Sequence, residues 1–179
     1  RHELLDSVFL WQSGNKYRVS AHDADMKETE AIYGQTDSGM TIIEGHLFLN
    51  GKKPIQHRSS YGLGEVIKAA LDNHTEHLVI SLGGIGSFDG GAGMLQALGA
   101  TFYDDEAQIV DMRKGAYLIK YIRRIDLSGV HPQLTKVNIQ LMSDFSSRLY
   151  GKKSEIMQTY ESLDLSQNEA AEILSLIHI

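Results

Sequence analysis

Apolar and polar positions change their period once along the chain, near Ser59. Before that point short apolar runs alternate with turn signals, the pattern of an antiparallel meander. Val8 to Trp11 and Tyr17 to Ser20 flank Ser13-Gly14-Asn15, and Glu30 to Tyr33 and Met40 to Ile43 flank Asp37-Ser38-Gly39. Asn50-Gly51 is a hairpin dipeptide of the kind that supplies positive φ at a two-residue turn. After Ser59, Leu63, Val66, Ile67, Ala70 and Leu71 recur at helical spacing and predict a helix running to about Asn73 with one apolar stripe, begun by Gly62 with Glu65 three residues later.

The apolar run Leu78 to Leu82 predicts a strand. The glycine-dense stretch Gly83 to Gly91 predicts a loop, and Ala92 to Leu98 a helix closed by Gly99. A strand should therefore end near Leu82 and a helix begin near Gly90, which is the unit of an α/β layer. Beyond it, Leu118, Tyr121, Ile122 and Ile125 share a helical face over Gly115 to Arg124, Val137 to Met142 forms another strand, and Asp144 follows that strand's end. Ile156, Met157, Tyr160 and Leu163 are in helical register, and Ser166 with Glu169 has capping-box spacing for a last helix. The fold class expected is α/β, made of strand-loop-helix units preceded by an antiparallel meander, with residues 1–55 as the β segment and 56–173 as the α/β segment.

Composition narrows the function. With 42% hydrophobic and 22% charged residues among 179, the chain is an ordinary globular one. A formal charge of −6 with scattered cations gives no footprint for a nucleic acid. The absence of cysteine removes disulfides and thiolate metal sites. No apolar run has the length of a membrane helix and no signal peptide opens the chain, so a soluble cytoplasmic protein is expected. The chain starts at Arg1 without Met and ends in Leu174-Ser175-Leu176-Ile177-His178-Ile179 with no cap or turn. Both ends are expected to be truncations, and residues 174–179, which match the translation of a transposase adapter used in library preparation, are expected to be non-native.

Chemistry concentrates in Ser81 to Gly93, where glycines let backbone N–H groups converge on an anion. The spacing is neither a Walker A loop nor a dinucleotide fingerprint, so a phosphate or carboxylate cradle and a plain tight turn both remain open. Asp89, between a strand end and a helix start, could accept a hydroxyl proton or hold Mg²⁺, and it could equally cap the helix. In the capping case Asn should replace it at little cost. Asp144 carries the same two readings at the next strand end, where ligands of α/β layers gather. His74 with His77, and His22 with Asp23 and Asp25, lack a third metal ligand in register. No Gly-x-Ser-x-Gly elbow points to a hydrolase.

Ser59-Ser60-Tyr61-Gly62-Leu63-Gly64-Glu65-Val66-Ile67, then Gly83-Gly84 and the run from Asp89-Gly90-Gly91-Ala92-Gly93 to Gly99, resemble the glycerate kinase family of bacterial glyoxylate and galactarate pathways. The likeness continues through Gly115, Leu118, Ile125 to Gly129, Pro132, Leu134, Asp144 and Leu149 to Gly151. It implies part of a two-domain kinase that transfers the γ-phosphate of ATP, with Mg²⁺, to D-glycerate, giving 2-phosphoglycerate. Family segments expected before Arg1 and past Ile173 are missing. The family's Gly-Gly-Ser-x-Thr-Asn-Asp stands here as Gly83-Gly84-Ile85-Gly86-Ser87-Phe88-Asp89. Ser146-Ser147-Arg148 and Tyr160 to Asp164 also depart from family patterns. By resemblance, Gly83, Gly84, Gly86, Ser87, Gly90 and Gly91 would donate to a phosphate or the glycerate carboxylate. Asp89 would orient the attacking hydroxyl or a metal, Asp144 would support it, and Ser60, Tyr61, Gly62, Gly64 and Glu65 would form the neighbouring wall. The competing readings are an inactive or diverged homologue binding another small hydroxy acid, and a non-enzymatic interaction domain whose glycine loop is packed under side chains.

Overall fold

The structure is a computed structural model, and it describes residues 6, 8, 13–83, 86–143, 154, 156, 157, 160 and 165–176. Four helices and seven strands are named among these residues. They are β1 (Gly14–His22), β2 (Glu28–Thr36), β3 (Met40–Glu44), α1 (His46–Leu49), α2 (Tyr61–Asp72), β4 (His77–Ser81), α3 (Ala92–Ala97), β5 (Thr101–Tyr103), β6 (Arg124–Asp126), β7 (Asn138–Met142) and α4 (Gln167–Leu176). Five strands form one mixed sheet in the order β1-β2-β3-β4-β7, and β5 and β6 form a separate antiparallel pair.

The meander occupies β1 to β3. β1 and β2 pair antiparallel from Gly14 opposite Thr36 to His22 opposite Glu28, and β2 pairs antiparallel with β3. The first expected hairpin is displaced. Gly14 and Asn15 lie inside β1, Asp6 and Val8 are helical, and the chain reverses at Asp23 to Lys27 instead. There Asp23 Oδ1 accepts from the N–H groups of Asp25 and Lys27, both at 2.9 Å, a side-chain-made turn. Asp37-Ser38-Gly39 does turn the chain, with Gly39 at φ 86°. Asn50-Gly51 does not form a hairpin, because Asn50 ends α1 and its Nδ2 donates to the His46 carbonyl at 2.8 Å.

From β3 onward the sheet becomes parallel, with β3 beside β4 and β4 beside β7. α2 runs close to its expected bounds, and its expected stripe of Leu63, Val66, Ile67, Ala70 and Leu71 is fully buried. It packs with Ala31, Tyr33, Ile43, Leu78 and Ile80 of the sheet. Each such side chain contributes about 1.5–3 kcal/mol by leaving water, less for the alanines. The expected helix at Gly115 to Arg124 is a 3₁₀ segment, Ala116–Tyr121, followed by β6. Ser166 and Glu169 form the expected capping box: Ser166 N–H and Oγ–H donate to Glu169 Oε2 at 2.8 and 2.7 Å, and Glu169 N–H donates to Ser166 Oγ at 3.3 Å. Leu174, placed at the start of the tail segment, lies within α4 and packs with Ile55, Ile156 and Ile173. Leu163 lies outside the described residues. Among the described residues no helix is long and apolar enough to cross a membrane.

Candidate functional site

The carboxyl ends of the parallel strands point the same way. β3 ends at Glu44 and β4 at Ser81, which are in register, and the glycine loop leaves from Ser81. As expected, the loop separates β4 from α3, so this segment is strand, loop, helix. Gly90 at φ 57° and Gly91 at φ 79° make its final turn in a conformation that costs a residue with a Cβ about 1–2 kcal/mol.

Asp89 is the centre of this turn and is 1% exposed. Its Oδ2 accepts from Ser60 N–H at 2.7 Å, Ser60 Oγ–H at 2.8 Å and Gly93 N–H at 3.1 Å. Its Oδ1 accepts from Gly91 N–H at 3.0 Å and Ser87 Oγ–H at 3.1 Å. Its backbone carbonyl accepts from Ala92 N–H at 2.9 Å. Ser60 Oγ in turn accepts from Met94 N–H at 2.9 Å. The N–H groups at the start of α3 are thus satisfied from within, by the protein's own carboxylate and a serine hydroxyl. Both carboxylate oxygens face hydrogen atoms, so a Mg²⁺ ion does not fit Asp89 without displacing donors. Among the described residues no group of three or more acids or histidines could hold a metal.

The expected site residues are spread over several separate contacts. Ser60, Ser87, Asp89 and Gly91 come together in the Asp89 node. Gly83 lies near the His46 side chain, Gly86 is buried against Leu49, and Gly90 is exposed. The N–H groups of Gly83 and Gly90 have no partner among the described residues. Gly62 and Gly64 are buried, not part of an open wall. A Cβ on Gly62 would overlap the His22 carbonyl, and one on Gly64 would overlap the Met94 carbonyl, so both serve close approach of α2 to its neighbours. Glu65 does not help to start α2, whose N-cap is Ser60. It reaches β1, accepting from His22 N–H at 2.9 Å with the His22 ring Nδ1 at 2.9 and 3.1 Å from its two oxygens. Tyr61 lies under Arg113, whose guanidinium carbon is 5.8 Å from the ring centroid. Arg113 is itself paired with Asp111 at 2.8 and 3.0 Å, which holds the Asp111 carboxyl below its ordinary pKa. Gly84 and Asp144 lie outside the described residues.

Two groups at this edge escaped the sequence reading. Glu44 closes β3 and is 1% exposed, a buried acid at a strand's carboxyl end. Its signal was an acid followed by glycine at the end of the run Met40 to Ile43. Arg58 reaches the loop, its Nη1 donating to the Gly86 carbonyl at 3.4 Å. Neither residue belongs to a recognisable spacing, and only the tertiary arrangement sets Glu44 opposite Ser81 and Arg58 at the loop.

A mixed sheet whose parallel strands open onto a glycine loop, with two helices bound together at that loop, defines an α/β layer of known kin. Residues 4–160 match the glycerate kinase family, and the chain belongs to it. It is similar to a glycerate kinase of Halalkalibacterium halodurans, 34% identical over 131 residues, covering 69% of this chain and 34% of that protein. A Bacillus cereus glycerate kinase is 37% identical over 154 residues, covering 82% of this chain and 40% of that one. The glycerate 2-kinase of Escherichia coli K12 is 36% identical over 93 residues, covering 52% and 24%. The crystal structure of a putative glycerate kinase 2 from Salmonella typhimurium LT2 shares the fold, with a TM-score of 0.88 and 24% identity over 97% of this chain and 48% of that one. The chain therefore spans 34 to 40% of the length of the first two of these relatives.

Proposed function

We propose that this chain is part of a kinase that transfers the γ-phosphate of ATP to D-glycerate, giving 2-phosphoglycerate. The observation that carries the reading is the family match over residues 4–160, which contains the glycine loop at the carboxyl end of β4. Phosphoryl transfer asks a protein chiefly to position groups and stabilise charge, and a glycine loop whose Gly83 and Gly90 N–H groups have no partner among the described residues suits that demand.

In this reading Gly83, Gly86, Ser87 and Gly90 offer backbone donors to the phosphate or the glycerate carboxylate, and Gly84 is proposed with them. The Gly91 N–H and the Ser87 hydroxyl are already committed to Asp89. Asp89 acts as a positioning residue, because a carboxylate with five internal donors accepts a hydroxyl proton only after losing one of them. Asp144 remains proposed as the supporting carboxylate. ATP supplies the transferred group, and Mg²⁺ would neutralise its phosphates from ligands other than Asp89. The same saturation of Asp89 favours the second reading, a homologue that binds a small hydroxy acid without turnover.

The intact polypeptide, incubated with ATP, Mg²⁺ and D-glycerate, should release ADP, and phosphorus NMR should find the new ester on the 2-hydroxyl. An ester on the 3-hydroxyl would replace the product assignment. Saturable glycerate binding without ADP release would favour the binding homologue.

A further inference from the structure

From Ala69 to Met112 the chain contains no lysine or arginine, and this stretch includes the entire glycine loop and α3. Asp89 already buries a carboxylate under the loop. Backbone donors alone leave an incoming oxyanion facing that like-signed neighbourhood, and a cation brought from elsewhere in the chain would offset it.

The fold delivers Arg58. Its backbone is held on both sides, its N–H donating to the Ile55 carbonyl and its carbonyl accepting from Ala116 N–H, each at 3.1 Å. Its Nε–H donates to the Lys53 carbonyl at 2.8 Å, and Nη1 donates to the Gly86 carbonyl at 3.4 Å. A guanidinium has five N–H groups. Both on Nη2 and the second on Nη1 have no partner among the described residues, and Arg58 forms no ion pair among them, although its charge also acts on the nearby Asp25 carboxylate. The neighbouring cations are turned away: Lys53 Nζ donates to the Asp25 carbonyl at 2.7 Å, and Arg113 is committed to Asp111.

We propose that Arg58 is the cation of the glycine-loop site, and that the Nη hydrogens without a partner among the described residues bind an oxyanion of the ligand, either a nucleotide phosphate or the carboxylate of the hydroxy acid. The bond to the Lys53 carbonyl and the longer contact to the Gly86 carbonyl orient the planar fork toward the loop before any ligand arrives, which lowers the side-chain freedom lost on binding. A charge-assisted, two-pronged contact is also the one a lysine cannot reproduce. The inference rests on the kinase reading for the identity of the ligand.

Calorimetric titration of the intact polypeptide with ADP and, separately, with D-glycerate tests it. Arg58→Gln should weaken one of the two by roughly 10- to 100-fold, the range expected for hydrogen bonds to a charged group, and Arg58→Lys should weaken the same one less. Loss in the ADP arm assigns the phosphate, and loss in the glycerate arm assigns the carboxylate. Restoration of binding to Arg58→Ala by free guanidinium ion would support the assignment directly. If Arg58→Gln melts early, Arg58→Lys decides. Unchanged affinity of Arg58→Lys for both ligands together with no guanidinium rescue overturns the proposal, and wild-type turnover would leave the kinase reading intact. A wild type that binds ADP but never phosphorylates glycerate sinks the kinase reading, and Arg58 is then judged on the ADP arm. A wild type that binds neither ligand overturns both.

Discussion

Asp89 carries one negative charge and five hydrogen bonds, three on one oxygen and two on the other. This changes what its replacement should do. An isolated capping aspartate tolerates asparagine, but here either orientation of an amide turns an NH₂ group toward at least two donors. Asp89→Asn should therefore lose roughly 1.5–3 kcal/mol, the scale of hydrogen bonds to a charged group in a buried site. Urea denaturation of the wild type and variant would measure it, and a variant as stable as the wild type would show that the donors relax away from the node. The Asp-Gly-Gly sequence made a turn legible. It could not reveal Ser60 as the fourth and fifth donor, because Ser60 lies 29 positions away and comes from another helix.

At the scale of elements, α2 and α3 touch through Gly64. A Cβ there would overlap the Met94 carbonyl and sit 2.7 Å from the Ala97 Cβ. Gly64→Ala should force the two helices apart and lower stability by about 1–3 kcal/mol, the range for overpacking, visible as a lower melting temperature. The turn between β1 and β2 holds a second test. Burial alone would push the Asp25 carboxyl up, but the N–H groups of Lys52 and Lys53, at 2.6 and 3.0 Å, with the nearby charges of Arg58 and Lys53, bring it below its ordinary value. A depressed folded pKa means that its stabilisation is complete above the unfolded value near 3.9 and is lost as pH falls through the lower folded value. Asp25→Asn should flatten that acid limb in denaturation curves taken from pH 6 to about pH 2, and an unchanged limb would assign it to other carboxylates.

These elements also show what the sequence made legible. Helical periodicity placed α2 and its stripe because burial enforces that period along its whole length. Asp37-Ser38-Gly39 succeeded as a turn since Gly39 needs its positive φ there. Asn50-Gly51 and Ser13-Gly14-Asn15 carry the same turn tendencies, yet Asn50 ends a helix and Gly14 and Asn15 lie in a strand. Turn propensity states what a backbone can do, and the packing of Gly51 against Asp25 and the pairing of Gly14 with Thr36 decide what it does.

Across the whole molecule the sheet is protected unevenly. β7 is its edge, parallel to β4, and all five of its residues are exposed, with Ile139 at 42% and Leu141 at 59%. Parallel strands are ordinarily covered on both faces, and an uncharged edge without proline invites pairing with another chain. The 179-residue chain by itself should associate in a concentration-dependent way in sedimentation velocity. Leu141→Lys should shift it toward monomer with little change in melting temperature, since Leu141 is already in water. Monomeric wild type at high concentration would show that this edge is not adhesive.

The order of strands in the sheet has a consequence in time. β1 and β2 are joined by a short turn and pair over their full nine-residue length, so they can zip together while much of the chain is still being made. β7 reaches β4 only after the chain has passed through α3, β5 and β6, and its pairing must wait for that long loop to close. The edge that leads to the candidate site is therefore the last to assemble and, by the same loop entropy, the first to open. Pulse-labelled hydrogen exchange should find the amides of β2 protected before those of β4 that face β7, with the N–H of Leu82, which donates to the Met142 carbonyl at 2.8 Å, among the last to close.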